Sequence, residues 1–271
     1  MEKFGLIGHP IAHSESPAVF AAAYGGRWPY DLIEGEDFEL SWKRFLDEYR
    51  AINITAPFKE LAFRKLLECG VVDESVRSIG AINIAVKEAD GLVHGYNSDY
   101  LGVRLLLEER GFGEGKTVLV VGFGGAGKAA AAAARSLGCD VVICNRSRHT
   151  PDIRPLEELP LLAPVADLLI YTLSLPVPQL ADLCPGPGSL PAHKRSGTFP
   201  AETAAPLGCT ACACDQTDCA DAGPAILEAN YHTPCLANHP HYISGRLWHR
   251  AQAITGYPLM TGLPVQHEPQ L

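Results

Sequence analysis

No stretch of this 271-residue chain reaches the roughly 18 consecutive apolar residues that a bilayer span needs. Positive charge is also short: 22 Lys and Arg stand against 31 Asp and Glu, a net charge of −9. No block of like charge relieves that deficit. This speaks against non-specific nucleic-acid binding, which runs on basic patches. The opening MEKFGLIGHP lacks the hydrophobic segment of a signal peptide. The expectation is a cytoplasmic protein, monomer or homodimer, that works on a small molecule and has no membrane or nucleic-acid partner. Cysteine is not scarce, at nine, but the number is odd and no export signal accompanies it. Thiols are therefore expected rather than disulfides.

Hydrophobic residues make up 47% of the chain, enough for a real core in one large or two modest domains. Short apolar runs at 3–8, 50–55, 81–86 and 92–96 read as strands. Residues 17–24 and 57–69 read as helices, the second opened by Pro57. Strands alternating with helices predict an α/β layer with a mostly parallel sheet. From residue 117 the pattern sharpens into strand (117–121), glycine-rich turn, alanine-rich helix (128–137) and strand (139–144). Residues 166–173 continue that sheet. Residues 174–224 are rich in Pro, Ala, Gly and Cys and have little periodicity, AILEANY (225–231) restores it, and 243–256 reads as a helix.

Gly122-Phe-Gly124-Gly125-Ala-Gly127 follows a strand and opens a helix, the setting of a dinucleotide-binding turn. Gly122 permits the turn, Gly124 lets the backbone approach a pyrophosphate, and Gly127 lets helix and strand pack closely. An Asp or Glu at the end of the next strand would bond a ribose 2′-hydroxyl and repel a phosphate. That residue is missing; Asn145-Arg146-Ser147-Arg148 stands there and suits a 2′-phosphate, because guanidinium forks bind phosphate bidentately. NADP is therefore expected over NAD.

Four stretches precede this turn: HSESP (13–17), NITAPFK (53–59), GAIN (80–83) and NSDYLG (97–102). They gather Ser14, Ser16, Asn53, Thr55, Lys59, Asn83, Asn97 and Asp99, a set suited to a ligand with several hydroxyls and a carboxylate. Reducing a ketone needs a proton donor, and Lys59 can serve. Burial would lower its pKa and Asp99 would raise it. Lys59 could equally be a solvated helix lysine, and Asp99 an N-cap of a helix over 100–110.

In their order these motifs resemble the shikimate dehydrogenase family, whose patterns are HSxSP, N-V-T-x-P-x-K, G-A-x-N-T, N-T-D-x-x-G, GxGGxG and N-R-T. Near the C-terminus the family has G-x-x-M-L-x-x-Q with a Gly ten residues on; Gly245, Gln252 and Gly262 keep both spacings. The resemblance covers 3–173 and 225–262. It implies an α/β protein of two domains. Residues 1–102 with C-terminal helices from 237–271 would form the substrate domain, and 103–236 a Rossmann-type NADP-binding domain. It implies Lys59 and Asp99 as the catalytic pair and Ser14 and Ser16 on the substrate carboxylate. Asn53, Thr55, Asn83 and Gln252 would bond ring hydroxyls, with Tyr231 near the ring. Gly122, Gly124, Gly125, Gly127, Asn145, Arg146 and Ser147 would hold NADP(H). The implied reaction is NADPH-dependent reduction of 3-dehydroshikimate to shikimate, a step towards chorismate. The rivals are an NAD-dependent quinate/shikimate dehydrogenase and a non-catalytic binding module.

Three positions depart from the family. Tyr171-Thr-Leu-Ser174 replaces N-A-T-S, Trp248 replaces the methionine four before Gln252, and Thr150 replaces an arginine for which Arg148 can substitute. Residues 175–224 are longer than their counterpart and carry Cys184, Cys209, Cys212, Cys214 and Cys219. Their spacing is not a paired CxxC…CxxC, and no metal is expected.

Overall fold

The computed structural model describes residues 1–147, 150–183 and 223–267. The first half of the chain runs β1 (Phe4–Gly8), α1 (Ser16–Ala23), β2 (Tyr30–Glu34), α2 (Phe38–Glu48), β3 (Ala51–Ile54), α3 (Lys59–Cys69), β4 (Val71–Val72), α4 (Glu74–Arg77), β5 (Ile84–Lys87), β6 (Val93–Tyr96) and α5 (Ser98–Glu109). Its six strands form one sheet in the order β2-β1-β3-β5-β6-β4. β5 is antiparallel to both neighbours; the other pairings are parallel.

Alternation along the strands supplies the sheet with two apolar faces. Ile7, Ile52 and Ile54 pack with Trp42 and Phe45 of α2 and Leu66 of α3. Phe4, Ala51 and Ile84 pack on the other face with Phe20 of α1. No element is expected from the sequence over 25–49, yet β2 and α2 lie there. α2 is capped by Asp37, whose side chain accepts from Leu40 N at 3.1 Å. The helix expected from Pro57 begins instead at Lys59. Pro57 sits in a turn closed by Phe58 N to Thr55 O at 3.0 Å, so Lys59 becomes the first helical residue.

The second half runs β7 (Thr117–Val121), α6 (Gly125–Ser136), β8 (Asp140–Cys144), β9 (Ile153–Arg154), α7 (Leu159–Leu162), β10 (Leu168–Tyr171), β11 (Ala225–Glu228), β12 (Tyr242–Ser244) and α8 (Gly245–Thr261). Its sheet has the order β12-β11-β10-β7-β8-β9 and every pairing is parallel. The expected boundary at 236/237 falls short of β12, which belongs to this sheet. Among the described residues a single helix, α8, then returns to the first sheet. Trp248 and Ala251 of α8 join the core beside α5 and α6, while Ala253, Tyr257 and Met260 cover the first sheet. Gly102 lets α5 and α8 touch: a Cβ there would lie 2.8 Å from Gln252 N.

The order reverses between β10 and β7, which places a crevice at their C-terminal ends, where ligands bind in open parallel sheets. The alanines of α6 let that helix lie close to the sheet, with Ala129, Ala130, Ala133 and Ala134 fully buried. Among the described residues no helix is long and apolar enough to cross a membrane.

Candidate active site

Lys59 opens α3 and Asp99 lies in the first turn of α5. Lys59 Nζ donates to Asp99 Oδ2 at 2.7 Å. A cation at a helix N-terminus opposes the helix dipole, so this lysine is not placed there to stabilise α3. The pair is partly sheltered, with the two side chains 26% and 10% exposed. The capping role left open for Asp99 belongs to Asn97, whose side chain accepts from Tyr100 N at 3.0 Å and donates to Ala81 O at 2.9 Å. Asn97 is thereby spent on structure and stays out of the cavity. Asp99 is anchored through its backbone too, since its carbonyl accepts from the Trp248 indole at 3.0 Å.

The pair lies in the wall of a cavity of ≈ 270 Å³. Ser14 and Ser16 reach it from the start of α1, and their hydroxyls are 3.0 Å apart. Asn53 and Thr55 reach it from the end of β3. Asn53 Oδ1 accepts from the Tyr30 hydroxyl at 2.7 Å, which fixes the amide's orientation. Asn83 Oδ1 accepts from Ser98 N at 2.6 Å, which leaves its N–H groups for the cavity. Tyr231 and Gln252 close the far wall. The loop bearing Tyr231 is held by Glu228, a fully buried carboxylate that accepts from Cys235 N (2.6 Å) and Leu236 N (3.0 Å).

A second cavity of ≈ 230 Å³ adjoins the first and reaches Ala126 of α6 and Trp248. Asp99, Tyr231, His249 and Gln252 line both. At the glycine turn Gly122 has φ +98°, which disfavours a side chain, and a Cβ at Gly127 would lie 2.1 Å from Gly122 O. A Cβ at Gly124 or Gly125 would meet no atom within 4 Å. These two therefore face open space ahead of the α6 N-terminus, whose free N–H groups favour an anion. Arg146 and Ser147 are exposed beyond the end of β8, and Asn145 Nδ2 donates to Ser147 O at 2.9 Å. The arrangement fits a phosphorylated dinucleotide. Lys128 of α6 also donates to Glu60 Oε1 of α3 at 3.4 Å, a contact between the two halves.

Tyr171 is not part of this region. It is fully buried in the core on the opposite face of the second sheet, with its hydroxyl on Leu175 O. Its neighbour Thr172 faces the turn and donates to Val121 O at 3.0 Å. Trp248, which replaces the family's methionine, lines the second cavity. Arg148 and the cysteines at 184, 209, 212, 214 and 219 lie outside the described residues. Among the described residues no group of His, Cys, Asp or Glu could hold a metal, and Cys69, Cys139, Cys144 and Cys235 are free thiols.

Glu15, His13, His232 and His249 were given no role from the sequence, although His13 and Glu15 stand within HSESP, and all four line the first cavity. His249 stands where the pattern G-x-x-M-L-x-x-Q has leucine, one place after Trp248. Reading that pattern one position further would have flagged it. Its ring stacks on Tyr231 with centroids 5.2 Å apart and planes 14° apart. Burial pulls the imidazole below its ordinary pKa, against the opposite pull of Glu15 and Asp99.

Residues 6–85 match the model of the shikimate dehydrogenase substrate binding domain. The chain is 36% identical over 192 residues to shikimate dehydrogenase (NADP(+)) of Natronomonas pharaonis, covering 65% of this chain and 70% of that one. It is 36% identical over 155 residues to the protein of the same name from Archaeoglobus fulgidus, covering 54% of this chain. Against the latter the chain spans about half of the relative's length, 53%. The crystal structure of shikimate 5-dehydrogenase from Thermus thermophilus in complex with NADP(H) and shikimate superposes with a TM-score of 0.68. That match has 26% identity and covers 98% of this chain and 95% of that one.

Proposed function

This chain belongs to the shikimate dehydrogenase family, and on that premise we propose that it reduces 3-dehydroshikimate to shikimate reversibly with NADPH, towards chorismate. The observation that carries the reading is the Lys59–Asp99 pair, 2.7 Å apart at the junction of a polar cavity and a second cavity beside the glycine turn. The larger cavity would take the ring. Ser14 and Ser16 are assigned to the carboxylate, Asn53, Thr55, Asn83 and Gln252 to the hydroxyls, and Tyr231 to the ring's edge. NADP would lie on Gly122, Gly124, Gly125 and Gly127, with Asn145, Arg146 and Ser147 at its 2′-phosphate.

When bound, the nicotinamide supplies the hydride. Lys59 gives its ammonium proton to the ketone oxygen and is left as the amine. Asp99 keeps the lysine aimed and balances its charge while it is protonated. Lys59 is exposed enough to regain a proton from water before the next turnover. In the alcohol-oxidising direction the same amine takes the proton back. The protein is read as cytoplasmic and as acting on small molecules only.

The test is absorbance at 340 nm with shikimate and NADP, then with NAD, and with quinate in place of shikimate. Formation of NADPH from shikimate, faster than NADH at equal concentrations, is expected. Turnover with NAD alone, or none with either cofactor, would replace the reading by one of its rivals.

A further inference from the structure

Among the titratable side chains of the first cavity's wall that have no assigned task, His249 is the one that lines both cavities. His249 lies on α8 three residues before Gln252, a spacing that sets the two side chains on one helix face. Both line both cavities. Tyr231 stacks on the imidazole and fixes its plane. Glu15 before α1, Asp99 of α5, His232 and Tyr231 are the titratable groups that face it.

The Nδ1 atom is buried and has no hydrogen-bond partner. Leucine at this position would pack on Tyr231 without burying a polar atom, so the imidazole is a poor choice for packing alone. Burial disfavours its charged form, so the ring carries one proton near neutral pH. Orphaned buried N–H groups are rarer than orphaned acceptors, so the proton belongs on Nε2 rather than on the enclosed Nδ1. The ring then offers one N–H to whatever occupies the cavity.

We propose that His249 is a specificity-determining residue whose Nε2–H donates to an oxygen of the bound ring substrate. This rests on the shikimate dehydrogenase reading and adds a contact at a position where the family pattern has leucine. A donor here favours a ring bearing an acceptor oxygen over one bearing hydrogen at the same place. The carboxylate and the hydroxyls of a cyclic polyhydroxy acid are the oxygens available. The proton is assigned to Lys59 and the hydride to the nicotinamide, so the effect of the imidazole should fall on substrate affinity.

Two variants separate this from packing. His249→Leu keeps an apolar contact with Tyr231 and removes the donor. His249→Gln keeps a donor and removes the titration. With the parent active, His249→Leu should raise KM for shikimate about tenfold, the size of one lost hydrogen bond, with the larger change in KM rather than kcat. KM for NADP should stay within about twofold, and His249→Gln should recover most of the shikimate affinity. Calorimetric titration of shikimate into each variant should give the same order of Kd. An unchanged KM and Kd in His249→Leu, a change confined to NADP, or no recovery in His249→Gln would overturn the assignment. A parent that binds shikimate without turning it over would overturn the catalytic reading instead, and the calorimetric series would still decide the contact. Melting curves of both variants exclude loss of fold as the cause.

Discussion

Lys59→Met keeps a long unbranched stem in the cavity wall and removes only the ammonium that donates to Asp99 Oδ2 at 2.7 Å. Two effects on stability oppose each other. Losing the ion pair costs up to about 1 kcal/mol, since water in the cavity reaches both partners. Removing a cation from the first turn of α3 returns about 0.3–1 kcal/mol through the helix dipole. The melting temperature should therefore move by only ~2–4 °C. Turnover should behave differently. A general acid supplies roughly 10²–10⁴-fold in rate, which is about 2.7–5.5 kcal/mol of barrier at 1.36 kcal/mol per decade. The assay is kcat for shikimate oxidation at 340 nm beside the calorimetric Kd for shikimate. Expected is at least a hundredfold fall in kcat with a much smaller change in Kd, because Ser14, Ser16 and Gln252 remain. Asp99→Asn should also slow the enzyme, and the double variant should lose less than the product of the two singles. Near-parental turnover in Lys59→Met would remove this lysine from the mechanism, and so would a rate loss that tracks the loss of folded protein.

Arg146→Ala should narrow the preference for NADP over NAD, read as the ratio of the two dissociation constants; equal affinities in the parent would refute a phosphate role for this arginine. Gly127→Ala drives a Cβ to within 2.1 Å of Gly122 O and should cost at least about 1–3 kcal/mol in thermal or urea unfolding. Gly124→Ala meets no atom and should melt like the parent while binding NADP more weakly. Burial pushes the Cys144 thiol up to about 11, so iodoacetamide at pH 8 should label exposed Cys69 and spare Cys144 until the protein unfolds; peptide mapping of alkylated native protein checks the order. Burial also lowers His249 and His239 from the ordinary 6.5. The unfolded chain therefore takes up these protons first as pH falls below about 6.5, and folded stability should drop through that window. His249→Leu should make the drop shallower in urea titrations at pH 7 and pH 5.5.

The inner strands β7, β10 and β11 of the second sheet were legible because they are almost wholly buried and read as apolar runs around a turn whose glycines have steric reasons to be glycine, whereas the short, partly exposed β9 and β12 gave no such run. β2 was not legible. Its sequence YDLIE breaks both the apolar run and clean alternation, and its acids are used locally. Asp31 accepts from the Tyr49 hydroxyl at 3.0 Å and Glu34 from Ile11 N at 3.2 Å. The candidate catalytic pair was legible as two residue types in two motifs, whereas its geometry depends on α3 starting at Lys59 rather than Pro57. The departure at 171–174 does not by itself say which face of the sheet its side chains occupy. Alternation along β10 settles the direction, since Leu168 and Ile170 face α6 while Leu169 and Tyr171 face away. His249 was hidden for another reason. Its character comes from Tyr231 on a distant loop, and a motif states residue types along one element, not what a fold lays across them.

The route by which α8 joins both halves has a consequence for synthesis on the ribosome. Phe4, Phe20, Ala51 and Ile84 form an apolar surface in the first part of the chain to emerge, and its cover, Ala253, Tyr257 and Met260, comes last. Translating from Glu88 to Thr261 takes roughly 10–35 s at about 5–20 residues per second. For that interval this face has only α1 upon it, and the part that α8 later covers is open to water. The half that would grip the substrate is thus the earliest made and the latest finished, and a chain released with its end at residue 244 would have every strand of both sheets but no α8 to cover the first.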